Sequence, residues 1–262
     1  MQRLAITRMV SRSIEHCELL HLQRQSIDVK KAIEQHKHYE DILGEAGFCL
    51  LRLPELPQLP DSCFVEDTAL VFNEIAIITR PGALSRRPEI ESIKEVLSPY
   101  RRLFLIQAPA TLDGGDVLSV GKQVYVGLSN RTNRHAVSQL QKMLNPFGYT
   151  VLSIPFGGCL HLKTAVTLIS GNILLINPDW VNPAAFHFDH VTVDKSEPFA
   201  ANALLLNEFV LYPSAYPKTL KKLRDAGIKV RTVDLSELAK AEGAVTCCSL
   251  IFQFIGEKER NR

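Results

Sequence analysis

Cys247 and Cys248 stand side by side in Thr246-Cys247-Cys248-Ser249, just ahead of the apolar run Leu250-Ile251-Phe252. Far upstream, His161 sits in Gly158-Cys159-Leu160-His161-Leu162-Lys163, and Asp113 in Leu112-Asp113-Gly114-Gly115-Asp116. A thiol, an imidazole and a carboxylate are the parts needed for nucleophilic catalysis. A cysteine that attacks carbon needs a proton partner and a group to orient that partner. Taken singly they are weaker signals: a lone histidine is more often a satisfied core residue, and Asp-Gly-Gly-Asp is often a surface turn.

An acidic set accompanies them: Asp61, Glu66, Asp67, Asp113 and Asp116. Carboxylates gathered in one pocket repel each other unless a cation or hydrogen-bond donors offset the repulsion. The set is not spaced like a calcium loop. A guanidinium is the other candidate: it is planar, permanently charged and matched to carboxylate oxygens. Its central carbon is open to a thiolate once the cation is held, and its charge lowers the thiol pKa on binding.

These residues can meet only if the fold brings distant strand ends together. A turn pair separates two strand-like runs four times, at Asn73-Glu74, Gly121-Lys122, Gly171-Asn172 and Asn207-Glu208. Turn-bounded apolar runs of this kind read as hairpins, and their recurrence is a degenerate repeat. Helical patterns fall between them. One is capped by Asp28 and ends near Gly47, one opens at Pro88, one opens at Asn133, and one runs from Lys218 to Ala226. A further strand follows each helix: 48–53, 102–106, 150–154 and 229–233. Each unit therefore reads strand, turn, strand, helix, strand. A fifth unit closes if Cys247–Phe252 pairs with the N-terminal Leu4–Ile6. Radial repetition puts one strand end of every unit at a shared centre. Glu66-Asp67, Asp113, His161 and Cys247 all lie just before or within the first strand of a unit, and this shared register is stronger evidence than any one motif. The fold class expected is α/β, with a single domain over residues 1–256 and a polar tail at 257–262.

Composition narrows the function class. The chain has 262 residues, 46% of them hydrophobic and 22% charged, with a net charge of +2. That balance gives no electrostatic case for nucleic acid or for an anionic membrane. The N-terminus lacks the pattern of a signal peptide, and no apolar run is as long as a membrane span. Six cysteines without a secretory signal point to reduced thiols in the cytoplasm. Cys17, Cys49 and Cys63 read as small apolar residues, and no CxxC pair suggests structural zinc.

Several segments together resemble the dimethylarginine dimethylaminohydrolase family of the guanidine-modifying pentein superfamily. They are Phe64-Val65-Glu66-Asp67, Ile78-Thr79-Arg80-Pro81-Gly82-Ala83 with Ser85-Arg86-Arg87, and Ala110-Thr111-Leu112-Asp113-Gly114-Gly115-Asp116-Val117. To these are added Val126-Gly127-Leu128-Ser129 with Arg131-Thr132-Asn133, Leu160-His161-Leu162-Lys163, and Thr246-Cys247-Cys248-Ser249. The likeness spans nearly the whole chain and implies a five-bladed α/β propeller. It implies Cys247 as nucleophile, His161 as proton donor and then base, and Asp113 as the group orienting His161. It implies Asp67, with Glu66 nearby, on the substrate guanidinium, Asp61 on the α-ammonium, and Arg86 and Arg131 on the α-carboxylate. Ala241 would make a backbone contact, and Leu19 would belong to a lid. The implied reaction turns asymmetric dimethylarginine or monomethylarginine into citrulline and an amine, with no cofactor. The implied partner is this small substrate, and the chain would be a monomer or homodimer. No catalytic metal is expected, although zinc could inhibit by binding Cys247 and His161. The alternatives are an arginine or agmatine deiminase and a non-catalytic thiol–histidine sensor of zinc or redox state. Two arginines on a carboxylate speak against agmatine, which has none.

Overall fold

A middle strand that pairs antiparallel on one side and parallel on the other recurs five times along this chain. The computed structural model describes residues 2–254, so the proposed tail at 257–262 lies outside the described residues. The strands form five three-stranded sheets. One sheet joins the two ends of the chain: Gln2–Arg8 is flanked by Leu250–Phe254, antiparallel, and by Cys49–Leu53, parallel. The next has Ala69–Val71, Ile75–Ile78 and Arg102–Leu105 in that order. The third has Val117–Val120, Gln123–Leu128 and Thr150–Pro155. The fourth has Val166–Ser170, Ile173–Ile176 and Asp189–Thr192. The fifth has Leu204–Leu206, Phe209–Pro213 and Val230–Val233.

An antiparallel pair closes with a tight turn, whereas a parallel pair needs a crossover. Helices Val29–Glu45, Ile90–Leu97, Arg134–Leu144 and Pro217–Asp225 supply four crossovers. Their starts follow local chemistry. Asp28 Oδ1 accepts the Lys31 N–H at 3.0 Å, and Asn133 Oδ1 accepts the Ala136 N–H at 3.2 Å. Middle strands such as Ile75–Ile78 are buried along their length, because helices and neighbouring sheets cover both faces.

Two details depart from the sequence expectation. The fourth unit has no crossover helix: its third strand, Asp189–Thr192, is reached through a 3-10 turn at Pro183–Ala185. Its residues are Asp-His-Val-Thr, too polar to show as a strand pattern. The second departure is that the closing strand starts at Leu250, so Cys247 and Cys248 lie in a turn ahead of it. The expected pairing of Leu4–Ile6 with this segment is present, in the register Leu4 with Phe252 and Ile6 with Leu250.

The first strands of all five sheets face a central channel of about 280 Å³. Aliphatic side chains such as Leu70, Leu118, Leu168, Leu204 and Ile251 line it, with Glu66, Lys163 and Thr246 among its polar residues. The architecture is therefore a five-bladed α/β propeller, and the chemistry-bearing turns precede its inner strands. Among the described residues, no helix is long and apolar enough to cross a membrane.

Candidate active site

Three blades offer a tight helical turn just before the inner strand: Val65–Thr68, Gly114–Asp116 and Leu162–Ala165. His161 immediately precedes the last of these, and Asp113 the second. The imidazole is 5% exposed. Its Nε2 lies 3.1 Å from Asp113 Oδ2, and its Nδ1 lies 3.9 Å from Asp67 Oδ1. Burial alone would lower the imidazole pKa, but Asp67, Asp113 and Asp116 outweigh it and raise it to about 9. His161 is thus an imidazolium at neutral pH.

The carboxylates are fixed from behind. Asp113 Oδ1 accepts the Gly82 N–H at 2.8 Å, and its backbone N–H donates to Thr132 Oγ1 at 3.1 Å. Asp67 Oδ1 accepts the Gly115 N–H at 2.9 Å. Although burial opposes its ionisation, His161 and Arg86 hold the Asp67 carboxyl well below the usual range. Asp116 anchors the histidine turn: its Oδ1 accepts the Leu162 N–H at 3.0 Å and its Oδ2 the Ser129 hydroxyl at 2.6 Å.

The two glycines between Asp113 and Asp116 are required by close approach. A Cβ on Gly114 would lie 2.0 Å from Glu66 O, and one on Gly115 would lie 2.6 Å from His161 Nδ1. A methyl group at 115 must displace the imidazole. Gly115→Ala is therefore expected to lower turnover about 100-fold or more, because small misplacements of catalytic groups are costly, and overpacking should destabilise by about 1–3 kcal/mol. Steady-state rates and thermal unfolding would check both; turnover within threefold of the parent would contradict the packing.

The thiols separate by burial. Cys247 is half-buried, whereas Cys248 is fully buried and its Sγ donates to Ala244 O at 3.6 Å. The Cys247 carbonyl accepts the Glu66 N–H at 3.1 Å, which ties the cysteine turn to the Glu66-Asp67 turn. Burial, then Glu66 and Asp67, push the Cys247 thiol far up. Alkylation of Cys247 by neutral iodoacetamide should therefore be slow at pH 7 and rise about tenfold per pH unit past pH 9, following the thiolate fraction. Mass-mapped labelling rates against pH would show this; a plateau reached below pH 8 would contradict it.

The other expected residues are placed as follows. Asp61 is buried and its Oδ2 accepts the Glu18 N–H at 3.1 Å. Leu19 packs on the cluster that contains Phe64, Ala241 and Val245, as does Cys247. Glu66 turns away from His161: it accepts from Lys163 Nζ at 2.5 Å and from the Thr246 hydroxyl at 2.7 Å. Glu66 and Lys163 thereby pair across the end of the central channel.

The two arginines do not converge as a free pair. Arg86 is buried, with Nη1 on Asp67 Oδ2 at 2.5 Å, Nε and Nη2 on Glu89, and Nη2 also on the carbonyls of Phe64 and Asp61. Of its five donors, the second Nη1 hydrogen has no acceptor among the described residues. Arg131 Nη1 lies 3.4 Å from Asp113 Oδ2, and Arg131 borders an open recess of about 500 Å³ with Glu18, Leu20 and Ser85.

Among the described residues, Asp67, Asp113 and His161 form the one cluster with metal-ligand spacing, and Cys247 is outside it. The sequence reading missed Asn202, whose side chain bonds Thr246 N at 3.2 Å and Thr246 Oγ1 and Lys163 O, each at 3.1 Å. Asn202 stands just before the inner strand of the fifth blade, the same register as the other site residues, so the repeat could have revealed it. Glu89 was missed too. Its only signal is three-residue helical spacing from Arg86.

The chain is similar to known proteins over most of its length. A family model described as arginine deiminase matches residues 55–203. A dimethylarginine dimethylaminohydrolase of Pseudomonas aeruginosa is 38% identical over 228 residues, covering 86% of this chain and 90% of that protein. One from Streptomyces coelicolor is 36% identical over 248 residues, covering 94% and 95%. The solved structure of a cysteine-to-serine mutant of the Pseudomonas aeruginosa enzyme, complexed with citrulline, superposes with a TM-score of 0.91 at 36% identity. That match covers 96% of this chain and 100% of the other.

Proposed function

This chain belongs to the dimethylarginine dimethylaminohydrolase family, and from that premise we propose that it hydrolyses asymmetric N,N-dimethylarginine and N-monomethylarginine to citrulline and the corresponding methylamine. The observation that carries the reading is His161 held between Asp113 and Asp67, the latter on the Glu66-Asp67 turn to which the Cys247 carbonyl is tied.

The substrate guanidinium docks on Asp67 and brings positive charge to the Cys247 turn. That charge opposes the effect of Glu66 and Asp67 on the thiol and favours loss of the thiol proton to solvent, which leaves the thiolate. Sγ then bonds to the guanidinium carbon. The C–N bond to the methylated nitrogen breaks as His161 delivers its proton to that nitrogen, and methylamine or dimethylamine leaves. Water next attacks the sulfur-bearing carbon and gives its proton to His161. The C–S bond breaks, the hydroxyl proton of the hydrated carbon passes to the departing sulfur, and citrulline and the thiol are released. Asp113 holds the imidazole in place throughout.

At the other end of the substrate, Asp61 takes the α-ammonium, with the Ala241 backbone and the Leu19 segment beside it. Arg131 and the remaining Nη1 hydrogen of Arg86 take the α-carboxylate. Glu66 acts from the second layer, fixing Lys163 and Thr246. No cofactor takes part in these steps. The six free thiols fit a reducing compartment such as the cytoplasm.

A second reading, hydrolysis of arginine with release of ammonia, is favoured by the description of the matching family model. One assay panel separates the two. Dimethylarginine, monomethylarginine, arginine and agmatine are each scored for ureido product and for the amine released. Citrulline with dimethylamine from dimethylarginine is the expected result; citrulline with ammonia from arginine alone would replace the proposal with the second reading.

A further inference from the structure

The segment from Glu18 to Leu22 is held at both its start and its middle. At the start, the Glu18 N–H donates to Asp61, and the Ser85 hydroxyl donates to Glu18 Oε1 at 2.5 Å. In the middle, three successive backbone N–H groups converge on one carboxylate. Glu242 Oε1 lies 2.6 Å from His21 N and 2.7 Å from Leu22 N, and Glu242 Oε2 lies 3.2 Å from Leu20 N. Consecutive N–H groups facing one concavity form an anion-binding nest. Here the anion belongs to the chain itself, five residues ahead of Cys247.

The backbone at this point is unusual in a way that singles out the side chain. Glu242 has φ of 58°, a left-handed conformation that disfavours any residue with a Cβ. Glycine would adopt it without strain. The next residue is glycine for a different reason: a Cβ on Gly243 would lie 2.2 Å from the Phe64 ring. The turn is thus wedged between the 18–22 segment on one side and, on the other, Phe64, whose carbonyl holds Arg86.

We propose that Glu242 is a latch that positions the lid over the substrate, coupling the 18–22 segment to the turn that carries Cys247. The inference rests on the reading of the site as a methylarginine hydrolase. In that reading the latched segment reaches both ends of the substrate. Leu19 packs on the cluster against which Cys247 also packs, and the Glu18 N–H sits on Asp61, the ligand for the α-ammonium. Glu242 touches neither substrate nor the reacting atoms; it acts through the lid as a positioning residue. Substrate affinity is reduced by the fraction of molecules whose lid is open, so losing the latch raises KM more than it lowers kcat.

The test uses the full chain with Glu242→Ala, Glu242→Gly and Glu242→Gln. Native-state hydrogen exchange is read at the amides of Leu20, His21 and Leu22, and steady-state kinetics with dimethylarginine. Both Ala and Gly variants should exchange about tenfold or more faster at those three amides, since hydrogen bonds to a charged acceptor are lost, with the sheet amides unchanged. KM should rise about tenfold, with kcat within about threefold. Glu242→Gln keeps one acceptor oxygen and should fall between. Glu242→Gly also relieves the backbone strain, so it should unfold no more readily than the parent, which guards against a trivial loss of fold. Unchanged exchange at the three amides overturns the latch. Faster exchange with unchanged KM overturns its positioning role. If no methylarginine is turned over by the parent, the hydrolase reading fails on its own while the exchange result still decides the latch.

Discussion

Cys247→Ser is expected to lose turnover by about three orders of magnitude or more, because a serine hydroxyl is far harder to ionise than a thiol and is the weaker nucleophile. Cys248→Ser should keep most of the activity. The two side chains are adjacent in sequence yet occupy different surroundings. Cys247 is half-buried in a turn whose carbonyl accepts the Glu66 N–H, whereas Cys248 is fully buried in the cluster that contains Tyr39, with its thiol on the Ala244 carbonyl. A hydroxyl in place of the Cys248 thiol costs stability instead, about 1–3 kcal/mol if it finds no partner. The measurements are turnover with dimethylarginine, thermal unfolding, and mass mapping of a thiol reagent that carries an amidinium head. The reagent should label Cys247, and excess dimethylarginine should protect it. Labelling of Cys248, with activity surviving in Cys247→Ser, would reverse the assignment.

His161→Ala should lower turnover by about 10²–10⁴-fold, the usual contribution of a positioned acid–base group. Asp113→Asn should do nearly as much damage, and the double variant little more than either alone, since the two act as a unit. The pH profile distinguishes orientation from mere packing. In the parent, the limb that reports loss of the imidazolium should fall near pH 9, the value set by burial against Asp67, Asp113 and Asp116. Removing the Asp113 charge while keeping its shape takes away one stabilising anion. The limb should then move down by about one unit or more. The sign is fixed: fewer anions mean a lower imidazole pKa, so the variant loses activity earlier as pH rises. A limb unmoved in Asp113→Asn, with turnover near the parent's, would remove Asp113 from the machinery.

Among the described residues, Asp67, Asp113 and His161 lie at metal-ligand spacing, and Cys247 sits on a separate turn whose carbonyl accepts the Glu66 N–H.

The sequence by itself determined the repeat, the punctuation of the four crossover helices and of the hairpins being visible in caps and turns such as Asp28, Asn133 and Asn73-Glu74. It also determined that Glu66-Asp67, Asp113, His161 and Cys247 share one register, because hairpin turns and apolar runs are local patterns set by short-range sterics and burial. It could not show the Asp189–Thr192 strand, whose polar residues carry no periodic signal, nor that Cys247 and Cys248 leave the strand for a turn. The tertiary structure alone decided where charges point. Arg86 and Glu66 are each drawn to the nearest buried opposite charge, Arg86 to Asp67 and Glu89 and Glu66 to Lys163, since a buried charge is tolerated only when paired. It alone revealed Glu242, whose partners lie far off in sequence at Leu20 to Leu22, and the pairing of Asn202 with Thr246. Pairing across such distances is fixed by which blades become neighbours, and a chain read residue by residue carries that information only weakly.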